Sequence, residues 1–130
     1  MYRTMIEPRV SETDGLGHIN NTVAPVWLEA GRNKLFKLFN ADHSFKDWKM
    51  IIVNMNIDYV RAIYFGENVE VRTWVKKIGN TSLQLYEEIW QNETCCVKGT
   101  TTYVHYNREK QLSEPLPEEV REELKKHCYR

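Results

Sequence analysis

Cysteine is scarce in this 130-residue sequence, and the three present, Cys95, Cys96 and Cys128, form no Cys-x-x-Cys pair. An odd count with two adjacent members argues against a disulfide framework, since neighbours on a strand point to opposite faces. Four scattered histidines supply no zinc-ligand spacing, so reduced thiols and no metal site are expected. An excess of one charge sign is also missing. Lys plus Arg and Asp plus Glu number 18 each, which argues against a general binder of nucleic acid or anionic membrane. No run of about 18 apolar residues offers itself as a membrane span. The first twenty residues lack the basic-then-apolar order of a secretory leader, and a cytoplasmic protein is expected. Proline and glycine are few, four and six, and no linker or repeat divides the chain, so one domain over residues 1–130 is expected.

What is present is core-forming material. Apolar residues make up 42% and aromatics 12%, too rich for a disordered segment. Tyr2 to Ser11 reads as a strand, with Pro8 marking an edge or bulge. Beyond a glycine-bearing loop, Asn20 and Asn21 are both good N-caps. Ala24, Trp27, Leu28, Gly31, Leu35, Leu38 and Phe39 then recur at steps of three and four, predicting one long amphipathic helix. From Met50 the period changes to two. Val53, Met55, Ile57 and Tyr59 alternate with Asn54, Asn56 and Asp58, as in a strand covered on one face. Three further strands begin near Val69, Thr81 and Thr94, and residues from about 116 to 128 predict a terminal helix. The fold class is α+β: an antiparallel sheet with one long buried helix laid on it.

The densest cluster of chemically useful groups is Asp14-Gly-Leu-Gly-His18-Ile-Asn20-Asn21. Here the chain leaves a strand, turns through glycines and enters a helix. A helix N-terminus presents unpaired N–H groups and a partial positive charge, which can polarise a carbonyl or hold an oxyanion. A carboxylate seven residues earlier can fold back beside those donors as a base or nucleophile. The plainer reading of the same residues is an Asp-Gly turn followed by an asparagine cap. The pattern alone leaves both open.

The string Thr13-Asp14-Gly-Leu-Gly17-His18-Ile-Asn20-Asn21, followed by Trp27-Leu28-Glu29-Ala-Gly-Arg32, resembles the signature of hotdog-fold acyl thioesterases. It is similar to the 4-hydroxybenzoyl-CoA thioesterase-like branch, and its His-x-Asn-Asn part resembles the acyl-ACP thioesterases. Ile57-Asp-Tyr59-Val-Arg61, Tyr64-Phe-Gly66-Glu-Asn-Val69 and Trp74 to Ser82 extend the likeness, which covers roughly residues 1–110. The resemblance implies a single hotdog domain that hydrolyses an acyl thioester of coenzyme A or acyl carrier protein. It implies Asp14 as nucleophile or base, and the backbone N–H of Asn21 as the donor to the thioester carbonyl. His18 and Asn20 match residues that orient substrate or water. The acyl-ACP group carries Asn two residues after the aspartate, where this chain has Leu16.

Glu29 and Arg32 match a Glu-x-x-Arg on the helix, three residues apart on one face, and are expected to pair or to anchor the helix to the sheet. Arg61, Lys76, Lys77, Ser82 and Lys98 fall on segments resembling those that line coenzyme sites, where cations meet phosphate. Trp27, Phe36, Met55 and Tyr59 are candidates for the acyl wall. No cofactor is expected, because CoA or phosphopantetheine is part of the substrate. The resemblance also implies a homodimer, or a tetramer of two dimers, with the site at the subunit interface. A non-catalytic acyl-thioester binding module is the alternative, and a dehydratase using His18 and Glu29 would leave Asp14 idle.

Overall fold

The computed structural model describes residues 1–130. In chain order it contains β1 (Tyr2–Ile6), α1 (Val23–Ala30), α2 (Asn33–Phe39), β2 (Met50–Tyr59), β3 (Val69–Ile78), β4 (Ser82–Gln91), β5 (Thr94–Asn107), β6 (Leu112–Ser113) and α3 (Glu118–Leu124). The strands follow the order β1-β3-β4-β5-β2, all antiparallel, with the short β6 paired to the end of β5. The sheet curls around α1 and α2 in the hotdog arrangement. β1 stops before Pro8, which cannot donate to a ladder, and a 3-10 turn follows at Val10–Glu12.

Strict alternation builds the inner face. Val69, Val71, Thr73 and Val75 of β3 and Leu83, Leu85, Glu87 and Ile89 of β4 are all buried. The core divides into two clusters along the sheet. Ala24, Trp27, Leu28, Ile63, Val69 and Val97 gather at the α1 end. Leu35, Met50, Val75, Leu83, Tyr103 and residues of α3 gather at the other.

The expected single helix is two segments joined at Gly31–Arg32. Both junction residues keep right-handed angles, so the axis bends without reversing. A Cβ on Gly31 would lie 2.5 Å from Val71 Cγ1, so glycine is what lets the helix touch β3. Thr73 Oγ1 donates to the Gly31 carbonyl there. Arg32 is drawn into the core, 1% exposed, where it meets Glu87 of β4. The pairing of Glu29 with Arg32 is therefore corrected: the anchor to the sheet exists, but Arg32 makes it with Glu87 while Glu29 stays exposed. An ion partner 55 positions away outcompetes one a helical turn away because its burial removes competing water.

β2 also departs from expectation. It occupies the edge opposite β1, with a bulge between Ile52 and Asn54, and Val53 and Tyr59 are 56% and 53% exposed. Of the expected inner set, Met55 and Ile57 are half-buried, Ile57 against the core, while Val53 and Tyr59 are open to solvent. Cys95, Cys96 and Cys128 are free thiols.

Candidate active site

The loop between β1 and α1 is a closed hairpin. Thr13 bridges Ile19, and the Asp14 N–H donates to the His18 carbonyl at 2.8 Å. Gly15 and Gly17 form its tip with φ of +90° and +87°, values that L side chains rarely adopt. The segment after β2 pairs against this hairpin: Ile19 N–H donates to Ile63 O, Phe65 N–H to Gly17 O, and His18 bridges Tyr64. Asp14 is thus held at a defined place despite being exposed. Its Oδ1 accepts from the Leu16 N–H at 2.8 Å, and its Oδ2 lies 3.7 Å from His18 Nδ1. The His18 ring meets Tyr64 edge-on, with centroids 4.9 Å apart. Asp14 and His18 come together, as their position on either side of the glycine tip suggests.

Glu12 is the residue that sequence reasoning passed over. It is only 7% exposed, and its carboxylate accepts from Trp27 Nε1 and the Arg9 N–H, both at 2.8 Å. Its backbone carbonyl accepts from the Asn20 N–H at 2.8 Å. One residue therefore ties the entrance of the loop, its exit and the second turn of α1. The signal was a carboxylate three residues after Arg9, the spacing of a capping box. Burial pushes this carboxyl up, but hydrogen bonds from Arg9 and Trp27, with the Arg9 charge, outweigh it and hold it below 4.5. A depressed folded value means that its stabilisation is complete above the unfolded value of about 4.5 and is lost as pH falls through the folded one. Urea midpoints between about pH 3 and 6 should therefore fall more steeply for wild type than for Glu12→Gln. Parallel curves would show that this carboxylate carries no such linkage.

Beyond Glu12 the hydrogen bonds converge on Asn20 and Asn21. Asn20 Oδ1 accepts from the N–H of Thr22 at 2.9 Å and from its hydroxyl at 2.8 Å. The Asn20 carbonyl accepts from the Val23 N–H at 3.0 Å. The Asn21 N–H meets no acceptor, while those of Asn20, Thr22 and Val23 are satisfied; three residues on, the Ala24 N–H is unpaired as well. A cavity of about 230 Å³ opens beside it, lined by Asn20, Asn21, Ala24, Tyr59, Arg61, Ile63 and Val97 among others. An N–H whose own peptide carbonyl is already engaged is a strengthened donor, preorganised for a carbonyl oxygen.

Arg61 is the one candidate cation on this cavity. Lys76 and Lys77 are exposed at the β3 bulge, and Ser82 opens β4 nearby. All three lie at the sheet end carrying Val75 and Leu83, away from Ala24 and Val97. Lys98 stands across from Asp58 and Glu88 on the neighbouring strands. Of the proposed acyl wall, Tyr59 lines the cavity; Trp27 is core, Phe36 packs on Trp48 and Tyr103, and Met55 is half-buried on the edge strand. No three His, Cys, Asp or Glu side chains converge as a metal site would require.

Comparisons with known proteins bear on the family and the fold. Residues 8–124 match the thioesterase-like superfamily. The structure described as "a predicted thioesterase from Bacillus stearothermophilus" is 52% identical, with a TM-score of 0.95 over 99% of this chain and 97% of that one. A Thermus thermophilus thioesterase, crystallised with coenzyme A and Zn, is 27% identical with a TM-score of 0.84, covering 96% of this chain and 92% of that one. In Bacillus subtilis, the protein named "Putative acyl-CoA thioesterase YneP" is 34% identical over 74 residues, 55% of this chain. The match spans about half the length of that relative, 54%.

Proposed function

The chain belongs to the thioesterase-like superfamily, and on that premise we propose that it hydrolyses acyl-CoA thioesters at the cavity beside Asn21. The observation that carries the reading is the unpaired Asn21 N–H at the head of α1, on the wall of that cavity and between the engaged N–H groups of Asn20 and Thr22. Coenzyme A is favoured over a carrier protein because a relative 27% identical was crystallised with it.

The thioester carbonyl oxygen accepts from the Asn21 N–H, which stabilises the charge that develops there. Donors of this kind contribute about 10²–10³ in rate. Asp14 takes a proton from water as the water oxygen bonds to the acyl carbon. The tetrahedral intermediate then expels the coenzyme A thiolate, which takes the proton from Asp14, and leaves the free acid. A route with Asp14 as nucleophile, through an anhydride, uses the same groups. Arg61, at the mouth, is the cation placed for a phosphate.

Within one chain Asp14 is not on the cavity wall, and the β2 edge is open. Both features favour a two-fold dimer in which β2 pairs with β2 of a second copy, removing an exposed edge. Antiparallel pairing sets the Tyr59 end of one β2 beside the Met50 end of the other. That end of the second copy carries Ser82, Lys76 and Lys77, so these three reach the coenzyme only across the interface. The proposal is tested on a panel of acyl-CoAs with released thiol as readout. Light scattering on the same sample should give twice the 15.5 kDa chain mass, or a multiple of it. Quantitative recovery of every ligand intact would replace hydrolysis by the binding-module reading.

A further inference from the structure

We infer that Tyr59 is a positioning residue for this reaction: its phenol fixes the turn that presents the Asn21 N–H. The inference rests on the hydrolytic reading of the cavity and adds a residue to it. Tyr59 Oη donates to the Asn21 carbonyl at 2.6 Å, across 38 positions of sequence. The ring stands on the open edge strand and is 53% exposed, so burial does not hold it there. Its tie to the main chain is this hydrogen bond, and its ring forms one wall of the cavity.

The consequence lies in which peptide is gripped. The Asn21–Thr22 peptide is held at both ends, its carbonyl by Tyr59 Oη and its N–H by Asn20 Oδ1. The preceding peptide has its carbonyl engaged by Val23 N–H and its own N–H, that of Asn21, free. With both flanking groups fixed, the direction of the free N–H is set before a ligand arrives. Without the phenol, the Asn21–Thr22 plane is restrained from one side only and can rotate, taking the donor off line. A misaligned hydrogen bond weakens steeply, and the loss falls on the step in which the oxyanion forms.

Tyr59→Phe isolates the hydroxyl while leaving the ring as wall. On acyl-CoA substrates it should lower kcat about three- to tenfold, the range set by one ordinary hydrogen bond, with KM within about twofold of wild type. Tyr59→Ala removes the wall as well and should also raise KM. Amide hydrogen exchange provides a readout free of turnover. In Tyr59→Phe the Thr22 N–H, held by Asn20 Oδ1, should exchange several-fold faster, while Leu28 in the middle of α1 is unchanged. The inference is overturned if Tyr59→Phe keeps wild-type kcat, if the whole effect is in KM, or if exchange at Thr22 does not change. If wild type releases no thiol from any acyl-CoA, the hydrolytic reading fails on its own, and the exchange comparison still decides whether Tyr59 holds the turn.

Discussion

Alanine at position 14 is expected to lower kcat for acyl-CoA hydrolysis by about 10²–10⁴-fold, the usual contribution of a positioned base. At about 1.4 kcal/mol per decade, that is roughly 3–5.5 kcal/mol of transition-state stabilisation. The change should leave folding nearly untouched. Asp14 is exposed, and the hydrogen bond it loses is the one its Oδ1 accepts from the Leu16 N–H. The loop keeps its closure without that side chain, because Glu12 O, His18 O and Ile63 O accept through the backbone. Steady-state rates from thiol release, set beside a thermal melt, separate chemistry from stability. A rate within about tenfold of wild type, with an unchanged melt, would remove Asp14 from the mechanism. Asp14→Asn is the sharper variant, since it keeps the shape and an acceptor oxygen while abolishing basicity.

Breaking the buried ion pair has the opposite profile. Arg32 and Glu87 meet through two contacts of 2.7 Å at 1% and 0% exposure. Arg32 also donates to Tyr103 Oη at 2.9 Å and to Thr101 Oγ1 at 2.8 Å, and Thr101 donates to Glu87 Oε1 at 2.7 Å. Every group in the network is satisfied, so deleting one charge leaves its partner buried and uncompensated. Arg32→Ala or Glu87→Ala should cost about 3–5 kcal/mol of unfolding free energy in urea titrations. The paired replacement Arg32→Met with Glu87→Leu should recover most of that loss, because apolar side chains of similar volume need no partner. If the double variant is as unstable as the sum of the singles, the network holds the fold by something other than charge compensation. The pair matters to the site because it clamps the α1–α2 junction to β4, and through α1 it sets where Asn21 stands.

The contrast between these two experiments follows what could be read before folding. Strands β3, β4 and β5 were legible because both sheet faces are written in a period of two. The glycine-bearing loop around Asp14 was legible because its turn residues are local; its closure as a hairpin was not, since it depends on backbone bonds between Asp14 and His18 and to Ile63. The bend at Gly31–Arg32 was not, since it answers to Glu87, a residue that alternation alone would mark only as inward. β2 was read correctly as a strand, but its inner face is only partly covered in one chain: Met55 and Ile57 are half-buried, whereas Val53 and Tyr59 are exposed at the sheet edge. Glu12 escaped notice for a related reason: its partner Trp27 sits in the helix stripe, where an indole looks like core and its N–H is invisible. Asn21 was placed by resemblance to a family, and its lack of an acceptor became apparent only when the neighbours of the turn were in position.

The tip of the hairpin carries one more consequence. Nothing lies within 4 Å of a Cβ built on Gly15 or Gly17, so neither position is short of space. What both require is handedness. Their positive φ is the mirror image of ordinary backbone, and an L side chain there costs on the order of 1–2 kcal/mol. A D-alanine at either site would escape that torsional penalty, and by restricting the unfolded chain it should tighten the loop. The hairpin that carries Asp14 thus selects its residues by chirality and is indifferent to their size.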